Sequence, residues 1–222
     1  MVERLNTNIH IFAGHFGSGK TEMALNFAMN EKRFGNDVTV VDMDTVNPYF
    51  RANDVKRLLT ENGIRLIAGQ YASTNLDMPI VPAEVRSVFE ENGGTVIFDV
   101  GGDDDGAYAL GVYRNLFEKF GYQMHFVVNT KRPLTRKCEE LLETAIRIEE
   151  ASRLKFTDIF NNTNLSYLTD ENTLLSGYDE ILRLSELMKI PAAVQCGMKK
   201  ALAKMDGRME MFEIERYLAM PV

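Results

Sequence analysis

Gly14-His15-Phe16-Gly17-Ser18-Gly19-Lys20-Thr21 is a full match to the pattern GxxxxGK[ST]. The run before it, Asn8-Ile9-His10-Ile11-Phe12-Ala13, has the length and apolar content of a buried strand, and 20–34 reads as a helix. A glycine-rich turn between strand and helix lets successive backbone N–H groups point inward at phosphate oxygens, and the helix adds its positive N-terminal end. All eight residues, Gly14 to Thr21, are therefore candidates for holding a nucleotide. Lys20 supplies a cation for the β- and γ-phosphates, and the Thr21 hydroxyl can ligate Mg²⁺.

Outward from that loop, short β-branched runs alternate with amphipathic segments, the pattern of βαβ units around a mostly parallel sheet. Strands are expected at 8–13, 37–42, 64–67, 94–99, 122–128, 155–160 and 191–195. Helices are expected near 20–34, 52–62, 82–92, 105–120, 135–152 and 178–189, with Thr135 as the cap of the 135–152 helix. Met211, Ile214 and Leu218 suggest a last helix over 208–219. The fold class is then α/β, a three-layer sandwich around a roughly seven-stranded sheet, with 1–222 as one nucleotide-binding domain.

Two further stretches fall where a phosphate loop needs them. Thr95-Val96-Ile97-Phe98-Asp99-Val100-Gly101-Gly102 is an apolar strand ending in an aspartate and a glycine pair. Asp99 would hold Mg²⁺ through water, and the Gly102 N–H could meet the γ-phosphate. The second strand ends in Asp42-Met43-Asp44, whose carboxylates at i and i+2 lie on one side of an extended chain. One can orient Mg²⁺ and the other an attacking water.

With these motifs the chain resembles the MinD/ParA and CobQ/CobB group of SIMIBI-class P-loop proteins, over Ile9 to the strand near Pro191. The resemblance implies that Asp42-Met43-Asp44 belongs to switch I and that Asp99 to Gly102 begins switch II. It makes Asp44 the water-positioning residue and puts Asp42 and Asp99 near the metal. One departure is plain: members that sandwich ATP between subunits carry a lysine early in the loop, where this chain has His15-Phe16-Gly17. The Cys-x-Cys of some metal-inserting members is also missing. Arg51, just beyond the switch I acids, is permanently charged and is the favoured substitute activator over His15.

A guanine site needs Asn-Lys-x-Asp, and Asn129-Thr130-Lys131-Arg132 lacks the aspartate. Asn161-Asn162-Thr163-Asn164 resembles the place where MinD-like proteins read adenine through an amide, with Asn161 and Asn162 equally eligible. ATP with Mg²⁺ is thus expected ahead of GTP. The leading reading is an ATPase whose cycle switches 42–51 and 99–106 to engage a protein partner or a second copy. The alternatives are a small-molecule kinase or ligase of the CobQ/CobB and dethiobiotin synthetase type, and a module that signals nucleotide occupancy.

Composition narrows the rest. With 25 Lys and Arg against 32 Asp and Glu, the net charge is −7, which argues against nucleic acid or anionic membrane as partner. Cys138 and Cys196 are the only cysteines and lie far apart, giving neither a disulfide framework nor zinc spacing. No apolar run reaches the ~18 residues of a membrane span, and the first residues lack a signal-peptide core, so a cytoplasmic location is expected. Asp103-Asp104-Asp105 reads as helix capping, and His10, His125 and Cys138 as packing.

Overall fold

Alternation along the strands assigns the two faces of the sheet. In β1 (Ile9–Ala13), Ile9, Ile11 and Ala13 belong to one apolar cluster and Phe12 to another. The computed structural model describes residues 8–44, 53–68, 83–90, 93–102, 104–190, 193–205 and 209–218. Arg51, Asp103 and most of the expected 42–51 switch lie outside these, as do the ends of several expected helices.

The remaining strands are β2 (Val38–Asp42), β3 (Arg65–Ala68), β4 (Thr95–Asp99), β5 (Gln123–Val128), β6 (Asp158–Asn161), β7 (Ala193–Gly197) and β8 (Glu210–Glu213). They form one sheet in the order β3-β2-β4-β1-β5-β6-β7-β8, with every neighbouring pair parallel. Because the chain leaves β1 toward β2 on one side and later returns to β5 on the other, the C-terminal end of β1 is a topological switch point. Crevices for ligands open there in α/β sheets.

Helices α1 (Lys20–Arg33) and α2 (Asn53–Glu61) cover one face, through Met23, Ala24, Val55 and Leu59 among others. The other face is covered by α3 (Ala83–Ser87), α4 (Asp104–Gly111), α5 (Arg114–Phe120), α6 (Cys138–Ser152) and, beyond the short α7 (Glu171–Leu175), α8 (Tyr178–Met188). This is the expected α/β/α sandwich, with eight strands rather than about seven.

The extra strand comes from the segment expected to be a helix over 208–219. Residues 210–213 instead extend alongside β7, in the register Val194↔Glu210 to Gly197↔Glu213. Phe212 and Ile214, two apart, both pack on the α1 side of the core, so a period of two prevailed over the helical spacing of Met211, Ile214 and Leu218. Beyond β8 the backbone is held by α1 rather than by its own ladder. Asn26 donates to the Glu215 carbonyl and accepts from its N–H, while the Glu22 carboxylate accepts from the N–H groups of Tyr217 and Leu218.

Two other expectations also shift. The 105–120 helix is broken into α4 and α5 after Gly111, a poor helix former, and Val112 and Phe120 are 56% and 41% exposed rather than buried. Thr135 does not cap α6; its hydroxyl donates to the Asn129 carbonyl, and Glu140 instead accepts from the N–H of Arg136 and Lys137. His10 and His125 are buried as expected. They form a chain in which His10 Nδ1 lies 3.0 Å from His125 Nε2 and His125 Nδ1 lies 2.6 Å from Asp158 Oδ1. Cys138 and Cys196 are both buried, and burial pushes the Cys196 thiol well up.

Among the described residues, no helix is long and apolar enough to cross a membrane.

Candidate functional site

The loop from Gly14 to Thr21 leaves β1 at the switch point and ends at the start of α1. Gly19, immediately before that helix, has φ +92, and a Cβ there would lie 2.3 Å from Asn162 Nδ2. Only glycine meets both demands, the left-handed backbone and the close approach. The turn is closed by Ser18 N–H donating to the His15 carbonyl at 3.1 Å, and Lys20 Nζ reaches the same carbonyl at 3.3 Å. Lys20 is 6% exposed, a lysine drawn into the loop.

Acidic groups gather beside it. The parallel register of β2 and β4 sets Asp42 opposite Asp99, each the last residue of its strand. Asp99 Oδ2 accepts from the Thr21 hydroxyl at 2.7 Å, and Asp42 Oδ1 accepts from the Asp44 N–H at 3.0 Å. Asp44 lines a cleft of 260 Å³ together with Phe16, Lys20 and Thr21. Asp42 stands behind it, its carboxylate orienting the turn that presents Asp44. Asp99 is fully buried, and this desolvation pushes its carboxyl up to about 7. The Thr21 hydrogen bond and the Lys20 charge oppose that rise, and Asp42 and Asp44 add to it.

Asp99 Oδ1 is buried with no hydrogen-bond partner. Among the described residues no three acidic, histidine or cysteine side chains group as a metal centre, but the orphaned Asp99 oxygen beside the Thr21 hydroxyl is a pair of oxygen donors of the kind that suits a hard divalent cation such as Mg²⁺. At the same end, Gly102 closes on the loop: a Cβ there would lie 2.7 Å from Phe16 Cα and 2.9 Å from Lys20 Nζ. The backbone after β4 therefore touches both the phosphate loop and its lysine.

The end of β6 separates the two asparagines. Asn161 Nδ2 donates to Gln195 Oε1 at 2.8 Å, and its Oδ1 accepts from the Thr163 hydroxyl at 2.7 Å, so its amide is spent inside the sheet. Asn162 lines the cleft; its Nδ2 donates to the Ser18 carbonyl at 2.8 Å, and its Oδ1 is buried without a partner. Of the remaining loop residues, His15 turns its Nδ1 to the Phe16 carbonyl and is not among the cleft-lining side chains.

Several lining residues were not anticipated. Ile214, Arg216 and Leu218 come from the segment after β8, which sequence periodicity had assigned to a helix. Ser166, Thr169 and Met198 follow β6 and β7, where only strand order could have placed them. Arg132, in the loop after β5, occupies the position where an Asn-Lys-x-Asp would carry its aspartate. Its Nε donates to the Gly17 carbonyl at 3.1 Å.

No protein-family model matches the chain, and no curated protein matches it. Solved structures do. The signal recognition particle 54 kDa protein of Aeropyrum pernix K1, in complex with GDP, is 20% identical with a TM-score of 0.53 over 82% of this chain and 39% of its own. A nucleotide-binding protein of Archaeoglobus fulgidus, in complex with ADP, is 16% identical with a TM-score of 0.52, over 84% of this chain and 80% of that one. FtsY of Thermotoga maritima is 20% identical with a TM-score of 0.51, covering 72% and 55%. The chain thus spans little more than half the length of that FtsY. With its sheet order and its loop at the switch point, the chain has an α/β P-loop fold similar to that of these proteins.

Proposed function

We propose that the chain binds Mg²⁺-ATP and hydrolyses it. The observation that carries this reading is that Lys20, Thr21 and Asp44 line the cleft while Asp99 and Asp42, opposite each other on adjacent strand ends, hydrogen-bond Thr21 and the Asp44 N–H. Lys20 would stabilise charge on the β- and γ-phosphates, and the Gly102 backbone, which abuts Phe16 and Lys20 Nζ, would offer its N–H to the γ-phosphate. Thr21, Asp42 and Asp99 would hold Mg²⁺, which when bound offsets phosphate charge. Asp44, the one of the three aspartates that lines the cleft, would orient the attacking water.

Adenine is favoured over guanine by what lines the base end. Two acids line the cleft among the described residues, Glu22 and Asp44. The Glu22 carboxylate holds the N–H groups of Tyr217 and Leu218, and Asp44 stands beside Lys20 and Thr21. Neither is available to pair with the guanine N1–H and amino group, whereas the unpartnered Asn162 Oδ1 can accept from the adenine amino group. GDP and ADP both occur in the similar structures, so fold leaves the base open, and these side chains are what supports adenine.

Hydrolysis removes the γ-phosphate beside the starts of the segments after β2 and β4, so the output is a change in those segments read by a protein partner or a second copy. Calorimetric titration with Mg²⁺-ATP and Mg²⁺-GTP tests the reading: ATP binds more tightly, and Asn162→Ala erases most of the preference. Tighter GTP binding, or a preference unmoved in Asn162→Ala, overturns the base assignment.

A further inference from the structure

Resting on the nucleotide reading above, we propose that Arg132 is a clamp, supplied by the same chain, on the diphosphate portion of the bound nucleotide. The loop that carries it is tied down. Asn129 Oδ1 accepts from the Lys131 N–H at 3.0 Å and the Asn164 N–H at 3.3 Å, and the Asn129 carbonyl accepts from Arg132 N–H at 3.1 Å and the Thr135 hydroxyl at 2.9 Å. Arg132 is therefore delivered to the phosphate loop from the same pair of loops that positions Asn162.

Order along the loop places the guanidinium. Gly102 abuts both Phe16 and Lys20 Nζ, which marks the outer-phosphate end in this reading, and Ser18 and Gly19 touch Asn162, its base end. Gly17, whose carbonyl accepts from Arg132 Nε, lies between them. A cation there faces the α- and β-phosphates, and it also meets the charge that develops on the departing diphosphate.

The guanidinium is exposed and lines the cleft, and one of its five N–H groups is spent on Gly17. Among the described residues its two Nη groups meet no acceptor and no carboxylate, in a chain of net charge −7. A planar fork with both prongs open beside a phosphate cradle matches the paired oxygens of a phosphate.

The test is calorimetry of Mg²⁺-ADP and Mg²⁺-ATP with the full chain, Arg132→Ala and Arg132→Lys, each at several salt concentrations. Loss of a charged hydrogen-bonding pair is expected to weaken ADP and ATP alike, about 10- to 100-fold in Arg132→Ala. Salt sensitivity falls in that variant, and Arg132→Lys keeps the salt sensitivity while recovering only part of the affinity. Unchanged affinity, a loss confined to ATP, or a loss with wild-type salt sensitivity, as a purely loop-shaping role would give, overturns the proposal. Absence of ATP binding by the wild-type chain sinks the nucleotide reading instead, so the two failures are distinct.

Discussion

Replacing Asp99 with asparagine is expected to stabilise the nucleotide-free protein at alkaline pH while removing its function. Burial raises this carboxyl from 3.8 to about 7, so the folded state holds the proton more tightly than the unfolded state does. The sign follows directly. Below about pH 4 both states are protonated and the group is neutral to stability. As pH climbs, the unfolded chain ionises first, and folding is penalised increasingly until the folded carboxyl also ionises near pH 7. At 1.36 kcal/mol per unit, the roughly three-unit gap costs the wild-type fold on the order of 4 kcal/mol at pH 8, and less than half of that at pH 5. The asparagine amide carries no charge at any of these pH values, and its oxygen can still accept from the Thr21 hydroxyl. For a domain of this size about 1 kcal/mol corresponds to 2–4 °C. Thermal melts in a metal chelator should therefore show Asp99→Asn several degrees above wild type at pH 8, with the gap shrinking at pH 5. A variant no more stable than wild type at pH 8, or a gap that does not depend on pH, refutes the reasoning.

Asp44→Asn is expected to lower ATP turnover by about 10²–10⁴-fold with little change in affinity, and a drop in affinity that matches the drop in turnover would contradict the water-positioning role. Asn26→Ala removes the partner of both backbone groups of Glu215 and is expected to cost about 1–3 kcal/mol, measured by urea denaturation. An unchanged midpoint would show that the segment after β8 is not held by that contact. Activity per molecule is expected to rise with protein concentration and to fall in Arg51→Ala, since the loop carries no lysine at His15 or Phe16. Concentration-independent turnover in both proteins would reject a supplied activating cation.

How far the sequence could be read depended on whether an interaction is local. The phosphate loop, the acids ending the second strand and the apolar run into Asp99 each combine a fixed spacing with a strand boundary, so their elements were legible. Asn161 and Asn162 were not separable, because which amide is spent inside the sheet is decided by Gln195, on a strand distant in sequence. The segment 210–218 was misread for a related reason. Its apolar residues fit a helical period, but the edge of β7 and the side chains of Glu22 and Asn26 supply its hydrogen-bond partners, and none of these is near it in the chain. Arg132 was invisible as a site residue, since a β5 loop arginine has no motif until strand order lays it on Gly17.

This cleft is proposed to hold a nucleoside triphosphate through its phosphate loop and a divalent cation. The most direct measurement is the affinity for ATP of the wild-type chain and of a folded Lys20→Ala variant, each with Mg²⁺ and with chelator. Tight binding by wild type with Mg²⁺, weaker binding in chelator and severe loss in Lys20→Ala are expected, whereas equal affinity in all four titrations would rule out nucleotide binding at this loop.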